Sequence, residues 1–355
     1  MNLQGALHYR YLKIALCCAL SFAIGCVVFC SPYQGQVSDY FDGNRFYNLN
    51  RTSEPRFGDF LRWIMTRNKG AWQRRNVSGF QSQVPARVGS GELRVTFVNH
   101  STFFIQMDGL NILTDPIWSE RASPVQFIGP RRMQAPGIAF EELPPIDVVL
   151  ISHNHYDHLD TATLKRLARR DDPVVITTLG NRILVERQGL SHVIELDWWQ
   201  ETVVAHSTKV ICVPAQHFSG RGLFDSYKTL WAGFVLENAA GSLFFAGDTG
   251  FGEHFEQIAQ RFHAFRLALL PIGAFKPAWF MAFAHMSPAE AVAAHLLLHA
   301  HISIGMHFGT FPLADDGQDD PVAELGSVLS RTDLGGTEFW VLENGESREV
   351  PGDKK

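Results

Sequence analysis

Ile146–Ser152, IDVVLIS, is apolar without alternation and runs directly into HNHYDH, after which DTATLKRLARR follows. An unbroken apolar run of this length fits a strand buried on both faces. The segment after it reads as a helix with Asp160 at its N-cap. The chain therefore leaves a core strand, passes through four metal-ligand-type side chains in six positions, and turns into a helix. In extended chain, residues two apart point the same way, so His153 and His155 can reach one ion together. Asp157 and His158 fall where the chain turns and can face a second ion beside the first. A chance polar loop would use Gly, Ser or Asn instead; residue type and spacing here point to a metal cradle.

One loop cannot complete two ions, so further donors should stand at similar places. Three do. His217 follows KVICVPAQ, Asp248 follows SLFFAG and His307 follows ISIGM. Each lies past a buried-looking strand and before small or turn-prone residues, and strand ends at one edge converge on one site. The other histidines lack this context. His295 and His299 are four apart on a helix, but Leu296 occupies the place of the glutamate that a zincin needs. His192, His206, His254, His263 and His301 show no ligand setting. His100, between two short strands, reads equally as a support for the site or as structural. Cys212 lies inside a strand and reads as core.

Elsewhere the body alternates. ELRVTFV, TFFIQM and LNILTD are short strands, and PVVITT, NRILVERQGL and HVIEL give strand, helix, strand. TVVAH, KVICVP, LWAGFVLE and SLFFAGD return to strands, followed by a helix near Glu253–Arg261 and the strand FRLALLPI. MSPAEAVAAHLLLHA carries Ser287 as N-cap, Pro288 at the first helical position and Glu290 closing a capping box. ISIGMHF and TEFWVLE finish the strands. Both halves thus give strands first and helices after. This predicts an α/β fold, an αββα sandwich of two mixed β-sheets flanked by helices.

The chain divides into 1–30, 31–88 and 89–350. In the first part, Arg10 and Lys13 precede the apolar Ile14–Cys30, which reads as a signal peptide or membrane anchor. At roughly 17 residues it is short for a span of about 20. AIGC and VVFC resemble lipoprotein processing sites. The expected location is the cell envelope, membrane-anchored or as a lipoprotein, with the catalytic domain in the periplasm. Only Cys212 remains outside this run, which excludes an intrachain disulfide framework in the body. The second part is an N-terminal extension with a basic, aromatic helix within Phe57–Arg75, read either as packed on the main domain or as lying on a membrane surface. A net charge of −5 argues against a nucleic-acid partner.

HNHYDH with His217, Asp248 and His307 resembles the metallo-β-lactamase superfamily of dinuclear metallohydrolases. LTDPIWSERASPVQFIGPRR, SHNHYDHLD, FFAGDTG, LLPIGAF, WFMAFAHMSPAEAV and HFGTF resemble, within it, the N-acyl-phosphatidylethanolamine-hydrolysing phospholipase D family, from about Val95 to Phe311. The resemblance implies two Zn2+ ions, with Mn2+ or Fe2+ as alternatives. His153, His155 and His217 would hold one, Asp157, His158 and His307 the other, and Asp248 would bridge them. It implies catalytic roles for Asp157, Asp248 and His285, and substrate contacts from Tyr156, Gln126 and His285. Phe218 stands where the animal enzyme has tryptophan.

Two ions about 3.5–4 Å apart can share a hydroxide and clamp an in-line displacement. His285 is the candidate to protonate the leaving alkoxide. The residues alone do not separate a phosphodiester from a lactone, thioester or lactam. The resemblance selects an N-acylated phospholipid, at a membrane surface, with a homodimer as one arrangement. A sugar-phosphate lactonase is the alternative enzyme, and an envelope metal-binding protein without turnover the alternative outside enzymes.

Overall fold

The computed structural model describes residues 33–50, 54–75, 84–222 and 224–352, apart from the side chain of residue 206. The apolar run at 14–30, with its proposed processing sites, lies outside the described residues. Among the described residues no helix is long and apolar enough to cross a membrane.

The elements in chain order are α1 (Phe57–Thr66), β1 (Leu93–Asn99), β2 (Thr102–Met107), β3 (Leu110–Thr114), β4 (Val148–Ile151), α2 (Thr161–Arg170), β5 (Val174–Thr178), α3 (Arg182–Glu186) and β6 (Val193–Leu196). There follow β7 (Glu201–Val203), β8 (Lys209–Val213), β9 (Gly233–Asn238), β10 (Gly241–Phe245), α4 (His254–Phe262), β11 (Phe265–Pro271), α5 (Ala278–Met281) and α6 (Pro288–Leu297). The last are β12 (Ala300–Met306), α7 (Asp320–Leu329), β13 (Glu338–Trp340) and β14 (Ser347–Glu349).

The strands form two seven-stranded mixed sheets, ordered β14-β1-β2-β3-β4-β5-β6 and β13-β12-β11-β10-β9-β8-β7. In the first, β14 to β3 pair antiparallel and β3 to β6 parallel. In the second, β7 to β10 pair antiparallel and β10 to β13 parallel. The αββα sandwich expected from the alternation is the fold observed.

Alternation of side chains explains why VVLI, the strand itself, is apolar throughout. Val148 and Leu150 face the other sheet, in one cluster with Leu236, Leu243 and Leu269. Val149 and Ile151 face the opposite way, in a second cluster with Leu164 and Leu167 of α2 and Val185 of α3. A strand covered on both faces needs apolar residues at every position. Asp160 caps α2, accepting from Ala162 N at 3.2 Å. Ser287 and Glu290 close the capping box of α6, with Pro288 in its first turn.

Described residues before β1 contact the sandwich. Phe46 is fully buried in the main core cluster. Asn48 accepts from the Trp231 indole at 3.0 Å, and Arg67 pairs with Asp315 at 2.8 Å.

Candidate metal centre

The site lies where strands end. Past β4 come His153, His155, Asp157 and His158; past β8, His217; past β10, Asp248; past β12, His307. Carboxyl ends of strands are where α/β sheets build their sites. All seven predicted donors come together, in two groups.

The first group is His153, His155 and His217. Their donor atoms lie within 4.8 Å of one another. His153 Nε2 is 2.8 Å from His155 Nδ1, which is 3.3 Å from His217 Nε2. Two of the three imidazoles are turned inward by a contact on the far side. Ser152 Oγ lies 2.9 Å from His153 Nδ1, and His217 Nδ1 donates to the Ala284 carbonyl at 2.9 Å. That bond fixes the tautomer of His217, leaving an Nε2 lone pair facing the group. Burial pushes all three rings below the ordinary histidine range, His155 to about 4.

The second group is His100, Asp157, His158 and His307. Asp157 Oδ2 is 3.0 Å from His100 Nε2, 3.3 Å from His158 Nε2 and 3.5 Å from His307 Nε2. At His100 burial prevails and lowers the ring to about 3, but at His158 and His307 it is outweighed by carboxylates. Asp248, Asp157 and Asp115 raise His158 well above its usual value, and Asp248 and Asp157 raise His307 to about 9. The same cations hold Asp157 and Asp248 well below the usual carboxylate range.

Asp248 joins the groups. Its Oδ2 is 3.1 Å from His158 Nε2, 3.0 Å from His307 Nε2 and 3.8 Å from His217 Nε2. Gly247 before it has φ +60°, and a Cβ there would sit 2.7 Å from that of Ser152 and 2.8 Å from the Ala232 carbonyl. Only glycine lets β10 and β4 approach this closely while delivering both donor sets.

These residues fit a pair of cations. Three uncharged imidazoles point nitrogens at one another where nothing else compensates them. His158 Nε2 and His307 Nε2 lie 3.1 and 3.0 Å from Asp248 Oδ2 without hydrogen-bond alignment, and Asp248 Oδ1 is buried without a partner, which a native interior rarely tolerates. Nitrogen and carboxylate donors of this kind suit zinc.

Two supporting residues were not assigned from sequence. Asp115, after β3, accepts from Ser152 N at 2.7 Å, and its Oδ2 lies 2.6 Å from both Ser152 Oγ and His158 Nδ1. It thereby aims His158 Nε2 into the site. Its signal was available, since it is another carboxylate past an apolar strand, in LNILTD. Asn48 brackets His217, donating to its carbonyl at 2.8 Å and accepting from its amide at 3.0 Å. No local pattern marks it. His100, left open between two readings, belongs to the site, with its ring 4.1 Å from that of His307. Asp115, His100 and His307 have φ of +34°, +50° and +61°. Strain of about 1–3 kcal/mol per residue of this kind concentrates at functional sites.

The predicted substrate residues are placed differently. His285 reaches the centre, with Nδ1 4.0 Å from Asp248 Oδ2 and its ring 5.2 Å from those of His217 and His307. Burial lowers it to about 4, so at neutral pH it is uncharged. Tyr156 is half-buried. Its hydroxyl donates to the Arg221 carbonyl at 2.7 Å and its ring lies 3.9 Å under the Arg221 guanidinium, so it braces the ligand loop. Gln126 is exposed, and its side chain bonds the Arg121 main chain at 3.1 and 3.3 Å; none of its hydrogen bonds reaches the seven donors. Phe218 packs on His155 with ring centroids 4.6 Å apart. His295 is structural, between Ser303 and Thr337 hydroxyls, and Cys212 is buried in β8.

Residues 110–308 match the family described as the beta-lactamase superfamily domain. The chain is 36% identical to N-acyl-phosphatidylethanolamine-hydrolyzing phospholipase D 1 of Caenorhabditis elegans over 266 residues, 72% of this chain and 75% of that one. It is 29% identical to a metal-dependent hydrolase of Methanopyrus kandleri over 264 residues, 72% of this chain and all of that one. Among solved structures, Igni18, a metallo hydrolase of Ignicoccus hospitalis, superposes with a TM-score of 0.56 at 23% identity, covering 73% of this chain and 99% of that one. The last likeness concerns the fold.

Proposed function

The chain belongs to the metallo-β-lactamase superfamily, as a metal-dependent hydrolase, and on that premise we propose that it cleaves the phosphodiester of N-acylated phosphatidylethanolamine in the manner of a phospholipase D. The observation that carries this reading is the 36% identity, across three-quarters of its length, to the nematode protein named for that reaction. The two donor groups sharing Asp248 are chemically suited to it.

His153, His155 and His217 would hold one zinc ion, Asp157, His158 and His307 another, with Asp248 between them. Bound there, such a pair supplies water acidified to a pKa of about 7 and neutralises charge on phosphoryl oxygens. The chain's own residues prepare that chemistry. Asp115, Ser152 and the Ala284 carbonyl hold imidazoles in place before anything binds, so little reorganisation remains. His100 lies against Asp157 at 3.0 Å and fixes one carboxylate oxygen. His285 offers a neutral ring beside Asp248, placed to hydrogen-bond the departing oxygen. Phe218 shields His155 and His217 from water on one side.

The test is a substrate panel on zinc-loaded protein. Vesicles containing N-acyl-phosphatidylethanolamine should yield phosphatidate and an N-acylethanolamine. Turnover of a phosphorylated sugar lactone or a thioester, with every diester intact, would overturn the reading in favour of another hydrolase.

A further inference from the structure

Helix α1 turns its apolar face outward. At 100° per residue, Phe57, Phe60, Leu61, Ile64 and Met65 share one arc of roughly 140°. All five are exposed, from 43% for Phe60 and Leu61 to 79% for Met65. Only Trp63, off that arc, is buried; it stacks on Phe280 with centroids 5.0 Å apart. Trp279, 46% exposed, continues the patch, with Arg62 4.5 Å above its ring. An amphipathic helix on a globular protein ordinarily buries this face; one that does not marks an interaction surface.

Charge identifies the occupant. Arg56 to Arg75 holds six cations and one carboxylate, Asp59, in a chain of net charge −5. Arg67 and Arg75 are paired with Asp315 and Asp319, while Arg56, Arg62, Lys69 and Arg74 are solvent-exposed. A second copy meeting this face across a two-fold axis would set cation against cation. An anionic bilayer matches both the apolar arc and its basic flank.

We propose that the outward face of Phe57–Thr66, with Trp279, docks on an anionic phospholipid bilayer. The helix is tied to the centre through few links. Trp63 holds Phe280, and the Met281 carbonyl beside it accepts from His285 N at 2.9 Å. Docking therefore sets the centre beside the headgroup layer. That consequence rests on the phosphodiester reading; the docking itself does not.

The experiment uses the full chain and a variant carrying Ile64→Glu and Met65→Glu, both at exposed positions. Amide exchange across Phe57–Thr66 is followed with vesicles of phosphatidylcholine plus phosphatidylglycerol, and of phosphatidylcholine alone. Exchange should slow most on the anionic vesicles, and the variant should need roughly tenfold more lipid or greater for the same slowing. Hydrolysis of a monomeric short-chain diester should be equal in both proteins. Unchanged exchange on both vesicles overturns the proposal. Slowing in lipid-free buffer that grows with protein concentration also overturns it, assigning the face to a second copy. Should no diester be cleaved while the protection persists, docking stands and the substrate reading falls.

Discussion

The two halves of the metal centre share Asp248 but face opposite electrostatic problems. The His153 half is three imidazoles whose burial keeps them uncharged. A cation can enter it without displacing a proton. In the His158 half, Asp248, Asp157 and Asp115 raise His158 well above its usual value, and Asp248 and Asp157 raise His307 to about 9, so both favour the protonated form. A cation there must expel protons first. One cradle is built for lone pairs and the other for charge, so they should differ in affinity and in pH dependence.

The most damaging test of this contrast is Asp248→Asn, which removes the charge both halves face. One ion per chain should be lost and turnover abolished, measured by metal analysis and product release. Full activity with two ions would end the shared-carboxylate scheme. Asp115→Asn should act on one half alone. Affinity on the His158 side should fall about 10–100-fold, with the His153 side unchanged, as read by chelator competition. Equal loss at both would erase the distinction.

Acidity separates the halves without mutation. His307 binds its proton more tightly folded than unfolded. Its stabilising contribution to the metal-free chain is therefore complete below about 6.5 and lost as pH rises through about 9. His155, lowered to about 4, has the opposite sign. Below about 6.5 the unfolded chain takes up a proton that the fold refuses, and stability falls on acidification. Melting of the metal-free chain should thus weaken on both sides of about pH 6.5. A melting temperature that climbed between 6.5 and 9 would contradict the charge assigned to His307. A smaller effect is expected of Asn48→Ala, about 1–3 kcal/mol from two unpaired main-chain groups of His217, by denaturant unfolding. Smallest is Tyr156→Phe, about 0.5–1.5 kcal/mol with metal content unchanged, since the hydroxyl serves Arg221.

Much of the centre was legible because its donors are rare residue types at places defined by chain period. HNHYDH, His217, Asp248 and His307 each follow an apolar strand, and strand periodicity is a local property. Asp115 satisfies the same rule, but with Pro116 after it the residue reads as a turn. Its use became visible only when β3 was found paired in parallel beside β4. Gln126 is marked by a family motif alone, and its side chain bonds the Arg121 main chain. In α1 the sequence showed an amphipathic helix, and Trp63 alone decided which side turns inward.

By itself, then, the sequence determined most of the strands, the helix caps of Asp160 and Ser287 and the set of metal-type donors, because side-chain chemistry and backbone period act over a few residues; edge strand β14 was not among them. The tertiary structure decided which donors lie together, that His217 Nδ1 faces the Ala284 carbonyl, and that Asn48 brackets His217 from 169 residues away. Those outcomes depend on hydrogen-bond partners and packed faces from distant segments. No local pattern encodes such a partner until the two sheets bring it within reach.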